Sequence, residues 1–393
     1  MGKSIKGKEL GKGFSQRSDG RYEARAMYKG KAIHLYNTDL KALREEFEQA
    51  KAELERDIDM KYKDITVDEW FEIWFEKYKK VVIRPSSWAP LRSRYINIFK
   101  PVIGDISLSN LRGIHIQDAI NLRLDRGQAV HTIRSAISTL RECLGVAASN
   151  RIILVNPTTN ISVPWSETTE KQIKFLDIES RKLFLEEADN SYYKELYHIM
   201  LCTGLRIGEV GGLAWSDIDF KKKTLTVERS LSCQYYKGDK TMALTKPKTV
   251  NSYRTIPFMG DVEVMLKDWK RKQDRVKKEL GERWRLPNGF PDLVFTSSMG
   301  SPVTRYITEK DLKVISAAVN AKRALEGLPG IEPVFPHMLR HTFCSICFER
   351  NMKPKVVQQL MGHASFSTTM NIYTHVTGEV MEEDSQLFGD SII

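Results

Sequence analysis

The spacing of apolar residues predicts three successive parts of the chain, the first of them a small sheet with one helix. Alternation with polar or basic neighbours, typical of a half-buried strand, runs through Tyr22, Ala24, Ala26 and Tyr28. Apolar residues then recur at the three- and four-residue steps of one helix face, at Leu40, Leu43, Phe47, Ala50 and Leu54. We therefore expect residues 1–62 to form a small α+β domain.

The second part, residues 63–165, has the pattern of a helical domain. Thr66 and Glu69 have the spacing of a capping box, in which each side chain accepts a hydrogen bond from the other residue's backbone N–H. The helix that follows has an apolar stripe, interpreted as core, made of Val67, Trp70, Phe71, Trp74 and Tyr78. Further helices are predicted over residues 86–99, 113–126 and 130–150. A charged linker is expected at residues 165–172.

The third part, residues 166–393, is predicted to be mostly helical with one small sheet. Strands are predicted around Leu225 and Val227 and around Arg254 and Ile256, joined by a lysine-rich loop at 237–250. Helices are predicted over residues 177–188, 193–203, 308–322, 337–350, 353–361 and 366–373. The expected fold class is a multidomain, mainly α protein with a small α+β N-terminal domain, a helical middle domain, and a mixed α+β C-terminal domain with a small antiparallel sheet.

Composition and charge narrow the choice of partners. The formal net charge is +11, which favours a polyanionic partner, nucleic acid first. No run of about 18 apolar residues occurs, so no membrane span is expected, and the first residues lack the apolar stretch of a secretory signal. The five cysteines are scattered, which suits a reducing cytoplasm better than a disulfide framework.

Basic residues concentrate in two places that are candidate DNA contacts. The free face of the N-terminal sheet, with Arg21 and Arg25, could enter a DNA groove, although its basic residues could equally serve only solubility. A second cluster near the start of the helical domain contains Lys79, Lys80, Arg84, Arg92 and Arg94. It is either a phosphate-contacting face or an ordinary solvated face.

Three separate segments carry residues suited to phosphate chemistry, and the first is Thr203–Glu209. Arg206 lies at a predicted helix start two residues after Gly204, and Glu209 lies three residues further on the same helix face. A guanidinium in that position can clamp a phosphate while the carboxylate holds its fork. Taken alone, the pair is better interpreted as an ordinary helical ion pair.

The second segment, His337–His341, places an imidazole next to another guanidinium. His337 and Arg340 share a helix face, which combines a proton-transfer group with a phosphate clamp. By spacing alone a zinc motif is suggested by His337, His341, Cys344 and Cys347. We reject a metal site there, because four ligands along one helix cannot surround an ion tetrahedrally. The two cysteines are expected to be small buried residues.

The third segment runs from Leu360 to Val376 and contains a tyrosine. The motif Leu360-Met361-Gly362-His363 is followed by Ser367-Thr368-Thr369 and then by Tyr373-Thr374-His375-Val376. Nothing in the local spacing alone makes Tyr373 a nucleophile, because a tyrosine near a chain end is usually a surface or packing residue.

Taken together, the three segments resemble the tyrosine recombinase (phage integrase) family. They match its TGLRxGE, HxLRHT and LGHxS…TxxxYxH signatures in order and spacing, with Met361 where leucine is common. Residues 63–165 resemble the family's core-binding domain, and residues 1–62 resemble the arm-binding domain of integrases from temperate phages and conjugative transposons. Residues 166–393 then correspond to the catalytic domain.

The resemblance implies a role for each matching residue. Tyr373 becomes the nucleophile, and the residues around the scissile phosphate become Arg206, His337, Arg340 and His363. Glu209 takes the family's acidic supporting position, and His341 a less certain supporting one. The family's general-acid lysine lies on a hairpin turn, where Lys248 fits best and Lys246 is the alternative.

The implied reaction forms a 3′-phosphotyrosyl intermediate and a free 5′ hydroxyl. Two arginines neutralise the charge that builds on the phosphate oxygens, and the lysine protonates the leaving 5′ oxygen. Because the bond energy stays in the covalent link, rejoining is expected to need no ATP, metal or other cofactor. The sequence contains no Walker loop and no acidic cluster suited to two metal ions.

The resemblance also implies partners and a location. The partner is double-stranded DNA with core and arm sites, in the bacterial cytoplasm at the nucleoid and without a membrane. Four protomers are expected to assemble on DNA, with the tail Thr374–Ile393 docked on a neighbour; a frayed chain end is the alternative. An excisionase and a host DNA-bending protein are further implied partners. The function expected is integration and excision of a mobile element through a Holliday junction.

Two other functions compete with this one. A type IB topoisomerase-like enzyme shares the cleavage chemistry but swivels one strand as a monomer; the arm-like N-terminal part and the C-terminal tail favour the recombinase. A DNA-binding protein that has lost catalysis is the second alternative. It is opposed by the complete residue set, namely Arg206, Lys248, His337, Arg340, His363 and Tyr373.

Overall fold

The protein, in a computed structural model, is described over residues 2–5, 7–28, 31–55, 62, 64–164, 173–236, 239–247 and 252–376. The described chain is mostly helical with small antiparallel sheets, which confirms the predicted fold class. It divides into two compact units, Met1–Glu167 and Thr168–Ile393. The linker predicted at 165–172 lies outside the described residues. None of the helices in the described part combines the length and apolarity that crossing a bilayer requires.

The first unit opens with a sheet whose apolar face is covered by one helix. Strand β1 (Gly2–Lys3) pairs with β2 (Glu9–Gly11), and a second sheet has the order β3 (Phe14–Gln16), β4 (Tyr22–Tyr28) and β5 (Lys31–Asn37). Helix α1 (Leu40–Glu55) packs on β4 and β5. Ala24, Leu43 and Phe47 are buried between them, as the alternation and the helical period predict. The pair β1–β2 was not predicted, because its strands are too short to show a pattern.

The rest of the first unit is helical: α2 (Val67–Trp74), α3 (Trp88–Ile98), α4 (Lys100–Ile103), α5 (Gly113–Asp125) and α6 (Val130–Ser149). The predicted capping box is present, with Glu69 N donating to Thr66 Oγ1 over 3.2 Å and Thr66 N to Glu69 Oε2 over 2.9 Å. The stripe predicted as core is buried except for Tyr78, which is 42% exposed. That part of the prediction was wrong because α2 continues as a wide π-helical turn, Phe75–Lys79, which rotates the stripe and buries Phe75 instead.

The second unit contains an antiparallel sheet in the order β10 (Arg254–Pro257), β7 (Thr224–Val227) and β6 (Ile218–Asp219). Arg254 lies opposite Val227, so the predicted strands do pair. The loop predicted between them at 237–250 was partly wrong, because β8 (Ser230–Tyr236) and β9 (Asp239–Thr245) form a separate hairpin. Lysines and other polar residues interrupt the apolar alternation there, although Leu231 and Leu244 face each other across the pair.

The helices of the second unit are α7 (Ile178–Ala188), α8 (Lys194–Thr203), α9 (Ile207–Gly212), α10 (Gly260–Leu280), α11 (Arg305–Leu325), α12 (Pro336–Glu349), α13 (Pro354–Met361) and α14 (Phe366–Val376). Every helix predicted for this unit is present close to its expected bounds. Helix α10 was not predicted. Its buried positions are Val262, Leu266, Trp269 and Gln273, a stripe too thin to stand out among so many charged residues.

Two cores stabilise the second unit. The larger contains Tyr197, Met200 and Leu339, all fully buried. The smaller contains Phe343 of α12, Met361 at the end of α13 and other residues of α12, α13 and α14. Because α12 contributes to both cores, side chains near its centre lie deep inside the unit.

Candidate active site

Two helices that end in left-handed glycines frame the site. Gly204 caps the C-terminus of α8 with φ 64°, and Gly362 caps α13 with φ 62°. Only glycine adopts this conformation readily, and at Gly204 a Cβ would also lie 2.3 Å from Phe343 Cδ1. One carbonyl oxygen at each reversal, Gly204 O and Met361 O, faces α12.

Arg340 of α12 occupies the space between these helix ends. Its side chain is 0% exposed, and it donates from Nη1 to Gly204 O and from Nη2 to Met361 O. The partial negative charge at the two helix C-termini stabilises the buried cation. Burial, and next the charge of Arg206, lower the pKa of Arg340 to about 9, so it stays charged at neutral pH. Among the described residues its Nε has no hydrogen-bond partner.

Arg206 lies at the N-terminus of α9, where the sequence predicts a helix start. Its Nη1 donates to Glu209 Oε1 over 2.8 Å, its backbone N to Glu209 Oε2 over 3.0 Å, and its Nη2 to Gly362 O over 3.1 Å. The predicted ion pair between Arg206 and Glu209 is therefore present. The Arg206 side chain is 34% exposed and Glu209 only 3%, so the arginine reaches the surface while the carboxylate lies beneath it.

A third arginine, which the sequence predicts in a strand but not in the site, completes the cluster. Arg254 at the start of β10 donates to both oxygens of Glu209, over 3.2 and 2.9 Å, and from Nε to Leu360 O over 2.6 Å. A signal for it exists in the sequence. Arg254 is two residues before Ile256, which is buried, so the two side chains share a face of the strand. A charged residue on an inward face needs a buried partner.

All three arginines donate hydrogen bonds to the end of α13. The consecutive carbonyl oxygens of Leu360, Met361 and Gly362 accept from Arg254, Arg340 and Arg206, respectively. Glu209 is the carboxylate between the guanidinium groups. Burial alone would raise its pKa, but the hydrogen bonds and charge of Arg254, with the charges of Arg206 and Arg340, hold that pKa below its ordinary value. The cluster thus carries more positive than negative charge and suits an anion.

His363 follows this carbonyl row directly and is buried. Its Nδ1 lies 2.9 Å from Oγ1 of Thr369, which is fully buried on α14. Burial, and next the charges of Arg340 and Arg206, lower the pKa of His363 to about 3. The imidazole is therefore neutral at pH 7, and when Thr369 donates to Nδ1 the proton stays on Nε2. The sequence analysis did not single out Thr369 as a partner of His363.

His337 and His341 lie one turn apart on α12. Their ring centroids are 4.6 Å apart at an interplanar angle of 85°. Burial, and next His337 and Arg340, lower the pKa of His341 to about 4, and its Nδ1 has no partner among the described residues. His337 opens to solvent, although partial burial and the charges of Arg340 and Arg206 also lower its pKa. His337 is thus the more accessible of the two.

Tyr373 lies on α14, four residues after Thr369 and so on the same helix face. It is half-buried, and its ring packs on Phe348 with centroids 5.0 Å apart in an edge-to-face arrangement. It borders the smaller core, which includes Met361. The tyrosine predicted as nucleophile and the partner of His363 therefore belong to one helix face.

Some predicted site residues fall elsewhere. Lys248 and the tail beyond residue 376 lie outside the described residues, and Lys246 is exposed just after β9. Cys344 and Cys347 are buried, as expected, and burial raises the pKa of each to about 12. Within the described part, no group of three or more His, Cys, Asp or Glu side chains could hold a metal ion.

Most of the basic residues predicted to contact DNA form ion pairs at the surface. The pairs are Arg21 with Asp19, Arg25 with Glu23, Lys79 with Glu142, Lys80 with Glu76, and Arg92 with Glu72. Arg84 is exposed and Arg94 is half-buried. The pair of Arg21 with Asp19 is exposed on both sides and contributes little to stability, so a phosphate can replace that carboxylate at little cost; Glu23, by contrast, is only 9% exposed.

Two histidines, the buried His363 and the half-buried His341, make the second unit sensitive to acid. The pKa of His363 is about 3 and that of His341 about 4, whereas unfolded histidines titrate near about 6.5. As pH falls below that value, the unfolded chain binds protons that the folded chain does not, which favours unfolding. We expect the unfolding midpoint temperature to fall between about pH 7 and pH 5. In a thermal melt series, the variant His341→Gln/His363→Gln should show a flatter pH dependence; an equal slope would contradict this account.

Comparison with known proteins gives the arrangement its context. Residues 168–379 match the family model described as Phage integrase family, which is more than half of the 393 residues. Residues 66–122 match the model described as Phage integrase, N-terminal SAM-like domain. The first match spans every described member of the cluster, from Arg206 to Tyr373.

Three individual proteins illustrate the similarity. A protein named Tyrosine recombinase XerC-like from Caldanaerobacter subterraneus subsp. tengcongensis is 29% identical over 330 residues, 81% of each chain. The transposase from transposon Tn1545 of Streptococcus pneumoniae is 26% identical over 400 residues, covering 95% of this chain and 93% of its own. The Tn1549 transposon integrase, solved in complex with transposon right end DNA, shares the fold with a TM-score of 0.65 at 22% identity, over 83% of this chain and 100% of that one.

Proposed function

Because the chain belongs to the phage integrase family, whose members are tyrosine recombinases, we propose that Tyr373 is the nucleophile of a site-specific DNA recombinase. The protein is an enzyme that cleaves and rejoins DNA strands. The observation that supports the site most directly is the carbonyl row at Leu360–Gly362, which fixes three guanidinium groups beside His363. The hydroxyl of Tyr373 attacks the phosphate and forms a 3′-phosphotyrosyl link, with a free 5′ hydroxyl as the other product.

Arg206 and Arg340 stabilise the negative charge that develops on the non-bridging oxygens. Arg206 offers the outward part of its guanidinium, and Arg340 offers charge and its Nε, which has no partner among the described residues. Such donors stabilise the transition state more than the ground state because the charge on the oxygens grows during attack. Neutral His363 donates from Nε2 to the same phosphate, and His337 accepts the phenol proton of Tyr373.

We propose Lys248 as the general acid for the leaving 5′ oxygen, with Lys246 as the alternative. Replacing Lys248 with alanine should slow cleavage of ordinary DNA by about 100-fold. It should leave nearly unchanged the cleavage of DNA in which sulfur replaces the leaving 5′ oxygen, because a thiolate departs without being protonated. Single-turnover cleavage of the two substrates measures this. Lys246→Ala is the matched control, and sulfur rescue of that variant alone would reassign the role to Lys246.

We also propose a division of labour along the chain. Residues 1–62 bind arm sites, residues 63–165 bind core DNA, and residues 166–393 catalyse. The separate core around Ala24 and Phe47 supports an autonomous N-terminal domain. The basic residues that face phosphates in this scheme are Arg21, Arg25, Lys79, Lys80, Arg84, Arg92 and Arg94.

Deleting residues 1–62 tests this division. The shortened protein should cleave core-site DNA at a rate close to that of the full chain, because the catalytic cluster lies entirely in the second unit. It should fail to integrate a donor plasmid, because arm sites are then not bound. Cleavage assays and an intermolecular integration assay measure the two activities. Integration at the full-length rate would rule out an arm-binding role.

The assembly we propose is a homo-tetramer on two DNA duplexes. Recombination breaks four strands, and each protomer supplies one Tyr373, so four protomers are required. The segment after Tyr373 is acidic at residues 379–384 and ends in Leu387, Phe388, Ile392 and Ile393. This composition suits a tail that docks on a neighbouring protomer. In this proposal the tetramer integrates and excises a mobile element through a Holliday junction. Its further partners are an excisionase and a host DNA-bending protein.

A further inference from the structure

Arg254 is buried beside Arg206 and Arg340, the two arginines proposed to bind the phosphate. Its side chain is 6% exposed. Nε donates to Leu360 O over 2.6 Å, Nη1 to Glu209 Oε1 and to Ser252 O over 3.2 Å each, and Nη2 to Glu209 Oε2 over 2.9 Å. Every guanidinium nitrogen thus has an acceptor within the protein. Four of its five N–H groups are bonded within the protein, so Arg254 is placed to support its neighbours rather than to contact a phosphate, unlike Arg206, whose side chain is 34% exposed.

The connection between the two arginines is Glu209. Oε1 accepts from Arg206 Nη1 over 2.8 Å and from Arg254 Nη1 over 3.2 Å. Oε2 accepts from the backbone N of Arg206 over 3.0 Å and from Arg254 Nη2 over 2.9 Å. These bonds fill about four acceptor sites, the full capacity of a carboxylate. Glu209 therefore cannot rotate without breaking bonds to both arginines.

We propose that Arg254 is a positioning residue for DNA cleavage, which fixes Glu209 and through it the guanidinium of Arg206. The inference rests on the proposed function. Without Arg254, a carboxylate that is 3% exposed would depend on Arg206 for its ion pair. An uncompensated buried charge is costly. The carboxylate would therefore draw Arg206 inward or take up a proton. In either case the guanidinium of Arg206 is no longer held in the position that binds the phosphate.

A second contact makes Arg254 more than a counter-ion. Its bond to Leu360 O attaches the start of β10 to the first carbonyl of the row that also orients Arg340 and Arg206. A lysine can supply the charge of Arg254, but one ammonium group cannot form a planar fork to Glu209 and reach Leu360 O as well. Arg254→Lys therefore removes the geometry while keeping the charge.

The test separates the chemical step from DNA binding. Arg254→Lys should slow single-turnover cleavage of a nicked duplex, taken from the junction between the mobile element and host DNA, by about 100-fold. Its dissociation constant for the intact duplex should stay unchanged. In a Glu209→Gln background the same change should slow cleavage by a smaller factor, because residues that act through one another are not additive, and only the loss of the contact with Leu360 O remains. Arg254→Gln, which keeps a donor for Leu360 O, is the second variant and should show the same division.

Arg229 and Asp217 provide a matched control in the same unit. Arg229 Nη1 lies 2.8 Å from Asp217 Oδ2, and the Asp217 side chain is only 4% exposed. Arg229→Lys should cleave like the wild type even if its unfolding midpoint falls. If Arg254→Lys cleaves at the wild-type rate, slows equally in the Glu209→Gln background, or is matched by Arg229→Lys, the positioning role is wrong. If the wild type forms no adduct at all, the proposed function fails instead.

Discussion

Replacing Tyr373 with phenylalanine is expected to abolish the covalent protein–DNA adduct completely while leaving the fold and DNA binding intact. The substitution removes the hydroxyl and nothing else. The ring contact with Phe348, at 5.0 Å between centroids, needs no oxygen, so the packing of α14 is preserved. In the proposed site the hydroxyl of Tyr373 is the nucleophile, so its loss leaves no group to form the covalent link.

Denaturing gel electrophoresis of protein incubated with the nicked junction duplex measures this outcome. Intact binding by the variant is checked with a mobility shift on the unnicked duplex. Tyr306→Phe, at a tyrosine that is 72% exposed on α11, is the matched control and should form adduct at the wild-type level. An adduct that persists in Tyr373→Phe would move the nucleophile to another residue.

Replacing Arg340 with lysine is expected to slow cleavage by about 1,000-fold, the upper end of what losing one oxyanion donor costs. Arg340 is 0% exposed and uses two nitrogens on Gly204 O and Met361 O, which leaves Nε as the donor that we propose for the phosphate. A lysine cannot satisfy two carbonyl groups and still present a donor in the third direction. Its ammonium is also more costly to bury than a delocalised guanidinium.

Stability and chemistry need separate measurements in this variant. Unfolding midpoints are compared first, because unsatisfied carbonyls at Gly204 and Met361 cost about 1–3 kcal/mol each. Arg181→Lys on α7 changes a partly buried pair with Glu349 of α12, 3.3 Å away, and controls for the loss of an arginine that contacts α12. Arg206→Lys, at a side chain that is 34% exposed, should keep its fold and still lose most of its cleavage rate. Wild-type cleavage by Arg340→Lys would exclude it from the phosphate site.

Local patterns predicted much of this structure because local forces decide those features. The helix start at Arg206, its pair with Glu209 and the capping box at Thr66 depend on residues three positions apart. Their geometry is fixed within one turn of helix. The same holds for the burial of Ala24 in an alternating strand.

What the sequence did not predict depends on contacts between distant segments. Arg254 forms hydrogen bonds with Glu209, 45 residues away in sequence, and with Leu360, 106 residues away. No periodic pattern in the sequence predicts contacts over such separations. Tyr78 moved to the surface because a π-helical turn inserted a residue into the stripe. Helix α10 was hidden because its buried face is narrow. The pairing of His363 with Thr369 needed the reversal at Gly362, which brings α14 back over the end of α13.

The central claim, a covalent 3′ link through Tyr373, is tested most directly by mapping the trapped adduct. Residues 356–393 contain no lysine or arginine and one tyrosine, so trypsin leaves Tyr373 alone in a single peptide. The adduct on the nicked junction duplex is formed in excess EDTA, digested with trypsin and nuclease, and sequenced by mass spectrometry. We expect Tyr373 joined to a 3′ phosphate, with a free 5′ hydroxyl on the released strand. A link to another residue, a 5′ link, or cleavage that occurs only after Mg²⁺ is added would contradict the account.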